Sequence, residues 1–101
     1  MTAVDLTSAK AVIDSAQAVV DAATTRLASI GPDANQVLAY DLAHAAATVE
    51  TGRALLAYGE RGDLEARITV AYVAGTVAEL AAKLFGREAE WGVEPGALDD
   101  T

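Results

Sequence analysis

Asp41, His44 and Thr48 succeed one another at spacings of three and four residues in an Ala-rich stretch, NQVLAYDLAHAAATVETGR. In an α-helix that spacing sets all three side chains on one outward arc. A carboxylate beside an imidazole raises its pKa and can prepare it for general acid–base work. That chemistry also needs a pocket that holds a reacting group, and three Ala-rich helices leave little room for one. Metal binding is disfavoured as well. Carboxylate sites in helical bundles recruit Glu-x-x-His from two different helices, whereas His44 is the single His of the chain. Ser8, Ser15 and Ser29 fall on the first helix or at its end, without the G-x-S-x-G turn that exposes a nucleophile. The sequence therefore offers no catalytic, cofactor-binding or metal-binding residue.

Glu50 and Arg53 stand three apart on the small-residue edge of the same stretch. An antiparallel third helix is expected to bring Arg67 near residue 54. Glu50, Arg53 and Arg67 are then expected to form a cross-helix network that fixes register.

The elements that must position these residues are marked by two breaks. In IGPD (30 to 33), Gly31 suits a helix C-cap, Pro32 stops continuation and Asp33 can cap the second helix. In YGERGD (58 to 63), Gly59 and Gly62 supply a turn and Asp63 an N-cap. Helices are expected at about 5–30, 34–58 and 64–86, with order fading over GREAEWGVEPG. Val12, Ala16, Val19, Ala23, Leu27 and Ile30 give the first helix a 3.6-residue apolar stripe, and Lys10, Asp14, Gln17, Asp21 and Thr24 an opposite polar one. In the second helix, Leu38, Leu42, Ala45, Val49, Gly52 and Leu56 form the main stripe. Val37 and Leu55 fall elsewhere, near His44 and Thr48, so this helix reads as sandwiched. The third is expected to turn Leu64, Ile68, Ala71, Gly75, Ala78 and Ala82 to one face, with Glu65, Thr69, Thr76, Glu79 and Lys83 on another and Glu79 pairing with Lys83. Gly52 and Gly75 are read as points of close approach between helices two and three. Trp91 is expected to fold back onto a helix end, and Tyr40 to cap one similarly.

Composition agrees with a folded all-α domain. Hydrophobic residues make up 52% of the 101 and charged residues 22%. The expected fold is an antiparallel up-down-up bundle over residues 1–91 with an acidic tail over 92–101. The net charge of −8 disfavours nucleic acid and anionic membrane surfaces. No apolar run reaches membrane-spanning length. Cys is absent, which excludes disulfides and thiolate metal sites. MTAVDLTSAK does not read as a signal peptide, and a cytoplasmic location is expected.

NQVLAYDLAHAAATVETGRALLAYG resembles the C-terminal helical bundle of the acyl-CoA dehydrogenase family, where a Gln precedes a helix of the kind Q-x-x-x-x-x-L-A-x-x-x-x-x-x-E-x-x-R-x-L. Gln36, Leu42, Ala43, Glu50, Arg53 and Leu55 match that pattern. SIGPD resembles the turn before it and EARITVAYVAGTVAELAAKLFG the helix after it, so the resemblance covers about residues 8 to 86. The extra N-terminal helical region of methylsuccinyl-CoA dehydrogenase-like enzymes is similar too. The departures are specific. Leu27 stands where the family has its flavin-contacting Arg, with Arg26 displaced by one, and Ile30 replaces the turn Phe. The Gly-Gly-x-Gly-Tyr segment and the catalytic Glu have no counterpart, so no catalytic residue carries over.

The resemblance implies a scaffold: a non-catalytic domain acting in oligomerisation, or as an accessory to a flavoenzyme. The expected partners are a second copy of the chain or an acyl-CoA dehydrogenase-like protein, and Val37, His44, Thr48 and Leu55 the partner face. FAD enters only with such an enzyme body. The alternative implication is a part of an FAD-dependent acyl-CoA dehydrogenase that contributes to cofactor or acyl-CoA binding.

Overall fold

Asp5 starts the first helix. Its carboxylate accepts hydrogen bonds from the Ser8 backbone N–H at 3.0 Å and the Ser8 hydroxyl at 2.6 Å, satisfying donors that have no partner within the first turn. The computed structural model describes residues 5–98, and the described chain contains no strand. It runs through α1 (Leu6–Ile30), α2 (Gln36–Gly59), α3 (Asp63–Leu84) and a single turn, α4 (Glu88–Trp91). This is the expected all-α bundle of three long helices.

Local chemistry sets the ends. Gly31 adopts φ 89° and donates its N–H to the Leu27 carbonyl, a backbone state that glycine reaches without Cβ strain. Asp33 is not the cap of α2. Asn35 takes that place, and its amide donates to the carbonyls of Ile30 and Gly31, tying the end of α1 to the start of α2. Gly62 precedes α3, and Asp63 and Glu65 lie in the first turn, where carboxylates favour the helix dipole.

The short connections force each helix back along the last. Gly59 faces Leu6 and Thr69, Gly52 faces Ile13 and Val73, and Asp41 meets Lys83 and Arg87. α2 is thus antiparallel to both neighbours. All three long helices touch one another, and the core lies along their common axis. Ala9, Ile13, Ala16, Val19, Val20 and Ala23 come from α1, and Leu38, Leu42, Ala45 and Val49 from α2.

On α3 the inward face differs from the expected one. Ala66, Thr69, Val73, Val77, Leu80 and Leu84 are buried, whereas Leu64, Ile68, Ala71, Gly75, Ala78 and Ala82 face solvent. α3 carries two apolar stripes, and the one richer in Val and Leu fills more core volume, which decides the choice. Thr69, expected on a polar face, is fully buried.

The C-terminal segment also departs from a free tail. Trp91 folds back as expected and is completely buried, with α4 against α1. Gly92 sits beside the Arg26 side chain, and Leu98 is buried in the core cluster. Val93 and Leu98 therefore pack on the body while Glu94, Pro95, Gly96 and Ala97 are exposed, and Asp99, Asp100 and Thr101 of the expected acidic tail lie outside the described residues. Tyr40 caps nothing and is largely exposed.

Candidate association surface

Each charged cluster sits on a seam between helices. At the α1–α2 seam Asp14 accepts from Lys10 at 2.8 Å and from Arg53 at 2.9 Å. These two cations, Lys10 first, hold the Asp14 carboxyl below its ordinary pKa. The α2–α3 seam is closed at its far end by Asp41, 3.0 Å from Arg87 and 3.8 Å from Lys83. Arg87 also grips Glu90 at 2.7 Å. Glu90, then Asp41, hold its guanidinium more firmly protonated than usual, and together they fix the turn from α3 into α4.

The expected Glu50–Arg53–Arg67 network does not form. Arg53 reaches across to Asp14 on α1 instead. Glu50 and Arg67 are both exposed, and neither makes an ion pair or a side-chain hydrogen bond among the described residues. The register of α3 sets Gly59 against Thr69, which moves Arg67 more than a helical turn past its expected neighbour. Lys83 likewise turns to Asp41 rather than to Glu79.

Among the described residues no hydrogen bond or ion pair joins Asp41, His44 and Thr48 to one another. Asp41 is consumed by its two cations, and the His44 ring leans on Tyr40 with centroids 4.6 Å apart. Thr48 donates to the Ala45 carbonyl within its own helix. No group of three His, Asp or Glu side chains able to hold a metal ion occurs among the described residues.

The expected partner face on α2 divides in two. Val37 and His44 are exposed, but Thr48 and Leu55 are half-buried at the α3 seam. The Leu55 carbonyl accepts the Thr69 hydroxyl at 2.9 Å. The larger unpartnered apolar surface is the outward face of α3. Leu64 is 67% exposed, Ile68 42% and Phe85 85%, with Ala71, Gly75, Ala78 and Ala82 between them. Helical spacing does not separate this stripe from the inward one, because both run the length of α3; the signal that could have done so is the greater Val and Leu content of the inward stripe.

That face continues into a groove at the third seam. Among the described residues no ion pair or side-chain hydrogen bond joins α1 to α3. An apolar groove of about 400 Å³ runs there, with Val12, Val70, Val77, Ala74 and Ala78 in its walls and Leu98 among its lining. The Ala content suggests little room for a cavity. The structure shows the reverse, since short side chains on two facing helices leave the space between them unfilled.

No helix among the described residues is long and apolar enough to cross a membrane. No protein family, curated protein or solved structure matches this chain.

Proposed function

We propose that the chain is a non-catalytic helical module that works by association, either with a second copy of itself or as an accessory domain of an acyl-CoA dehydrogenase-like flavoenzyme. The observation that carries this reading is the outward face of α3. Leu64 and Ile68 stand in water there, with Phe85 just past the helix end, and the opposite face of α3 already fills the core. A small monomeric domain rarely leaves such a continuous stripe uncovered. The flavoenzyme as partner is supported by the sequence resemblance of residues 8 to 86. Association is tested by sedimentation of the purified chain over a wide concentration range, alone and with an acyl-CoA dehydrogenase-like protein. A mass that stays monomeric under both conditions would refute it.

A second reading rests on the α1–α3 groove, whose walls suit an apolar chain such as the acyl part of an acyl-CoA. It corresponds to a portion of an FAD-dependent enzyme that helps bind cofactor or acyl-CoA. Acyl-CoA or flavin carried through purification, seen in an absorbance scan, would favour it over simple association.

A further inference from the structure

Gly75 lies in the middle of α3, where a glycine weakens a helix relative to alanine. Nothing in the fold requires it, since a Cβ built there meets no atom within 4 Å. Gly52, by contrast, faces Ile13 and Val73. The expected close approach of Gly75 to helix two is therefore absent, and the open side of Gly75 looks outward. The exposed apolar residues are placed evenly about it. Leu64 and Ile68 stand toward the start of α3 and Phe85 at its end, with Leu64 and Phe85 nearly equidistant from Gly75 along the sequence.

We propose that a second copy of this chain packs its α3 antiparallel onto this face, with the two-fold axis passing close to Gly75. The inference rests on the association reading above and names its partner and geometry. Such an axis brings Phe85 of one copy onto Leu64 and Ile68 of the other, and sets the glycines and alanines face to face, where helices approach most closely. Charge suits the antiparallel direction. Glu65 and Lys83 lie near opposite ends of α3 on the same flank of the stripe, so antiparallel packing brings Glu65 to the partner's Lys83. Parallel packing about a two-fold axis along the helices would carry Glu65 and Lys83 to opposite sides of the contact, where they do not meet. Tyr72 and Glu79, on that flank too, become neighbours across the axis. The helix dipoles also oppose only in the antiparallel arrangement. A contact of this isologous type is self-complementary. One helix of 22 residues is about 33 Å long. Its face buries less than the standard interface of about 800 Å² per partner, which makes the dimer a weak one.

The chain has no Cys, so single cysteines report the pairing directly. Leu64→Cys and Phe85→Cys proteins are mixed and oxidised, Gly75→Cys is oxidised alone, and the self-association of wild type and Gly75→Glu is measured by sedimentation. The expected result is a concentration-dependent wild-type dimer, a dominant mixed Leu64→Cys/Phe85→Cys cross-link and rapid Gly75→Cys self-linking. Gly75→Glu should weaken the dimer by about tenfold or more, the effect of an unpaired charge at an interface centre, with helicity by circular dichroism unchanged. A dimer in which Leu64→Cys links to itself, or which survives Gly75→Glu, overturns the antiparallel pairing and leaves the association reading standing. A wild-type chain that stays monomeric at its highest soluble concentration overturns the pairing too. The association reading then falls only if the flavoenzyme also fails to bind.

Discussion

The Thr69 hydroxyl lies 2.9 Å from the Leu55 carbonyl oxygen, across the seam between α3 and α2. The hydroxyl also lies 2.9 Å from the Glu65 carbonyl oxygen, so its single hydrogen always has an acceptor although the side chain is fully buried. Gly59 makes this approach possible: a Cβ there would stand 2.8 Å from Thr69 Oγ1 and 3.0 Å from Leu6 Cδ2.

Gly59→Ala is therefore expected to destabilise the bundle by about 1–3 kcal/mol through overpacking. Chemical denaturation of Gly59→Ala, Thr69→Ala and the double variant checks this. The cost of Gly59→Ala should shrink in the Thr69→Ala background, because the hydroxyl it strikes is gone. Equal costs in both backgrounds would rule out the contact as the cause.

Gly75→Ala is expected to act in the opposite direction. It restores helix propensity without meeting any atom, so the dilute protein should gain about 1 kcal/mol and melt about 4–8 °C higher. A lower melting temperature would show that Gly75 serves the monomer fold.

Trp91 is the only Trp and is completely buried, so native fluorescence should be blue-shifted and move red as the chain unfolds. Trp91→Ala is expected to cost about 3–5 kcal/mol from the cavity it leaves. Trp91→Phe should cost clearly less, because the indole N–H finds no acceptor in the described structure and its loss breaks no hydrogen bond. Melts followed by circular dichroism would measure both, and equal losses would mean that the indole N–H, and not the volume of the side chain, carries the cost.

Asp14 gives the bundle an acid-sensitive seam. Its folded pKa is lowered from 3.8 by Lys10 and Arg53, so the carboxylate stabilises the fold above that value. The contribution is lost as pH falls through the lower, folded pKa. Wild type should exceed Asp14→Asn in stability near neutral pH, and the gap should close in acid below pH 3.8. A gap that persists in acid would have another origin.

Glu50→Gln, which would lower the melting temperature if Glu50 anchored a network, should instead stay within about 0.5 kcal/mol of wild type, as for an unpaired surface residue. Arg53→Ala should lose more, since it gives up Asp14 and its packing along α1. Parallel thermal melts compare the two directly.

The three long helices, their approximate ends and the all-α class are legible in the residues alone. Those features arise from local chemistry: the Gly31 stop, the turn at Gly59 to Gly62, and a 3.6-residue stripe in α1 that includes the buried Ala16, Val19 and Ala23. Which side of α3 turns inward is settled by packing against α1 and α2. Leu64, Ile68, Ala71 and Gly75 satisfy helical periodicity as well as Ala66, Val73, Val77 and Leu80 do, and the volume to be filled between α1 and α2 chooses between them. Tertiary packing likewise decides that Arg53 meets Asp14 and that Asp41 meets Arg87. An ion pair across helices depends on register, which is set where whole faces interlock at Gly52 and Gly59 and is invisible in the spacing of residues along one helix.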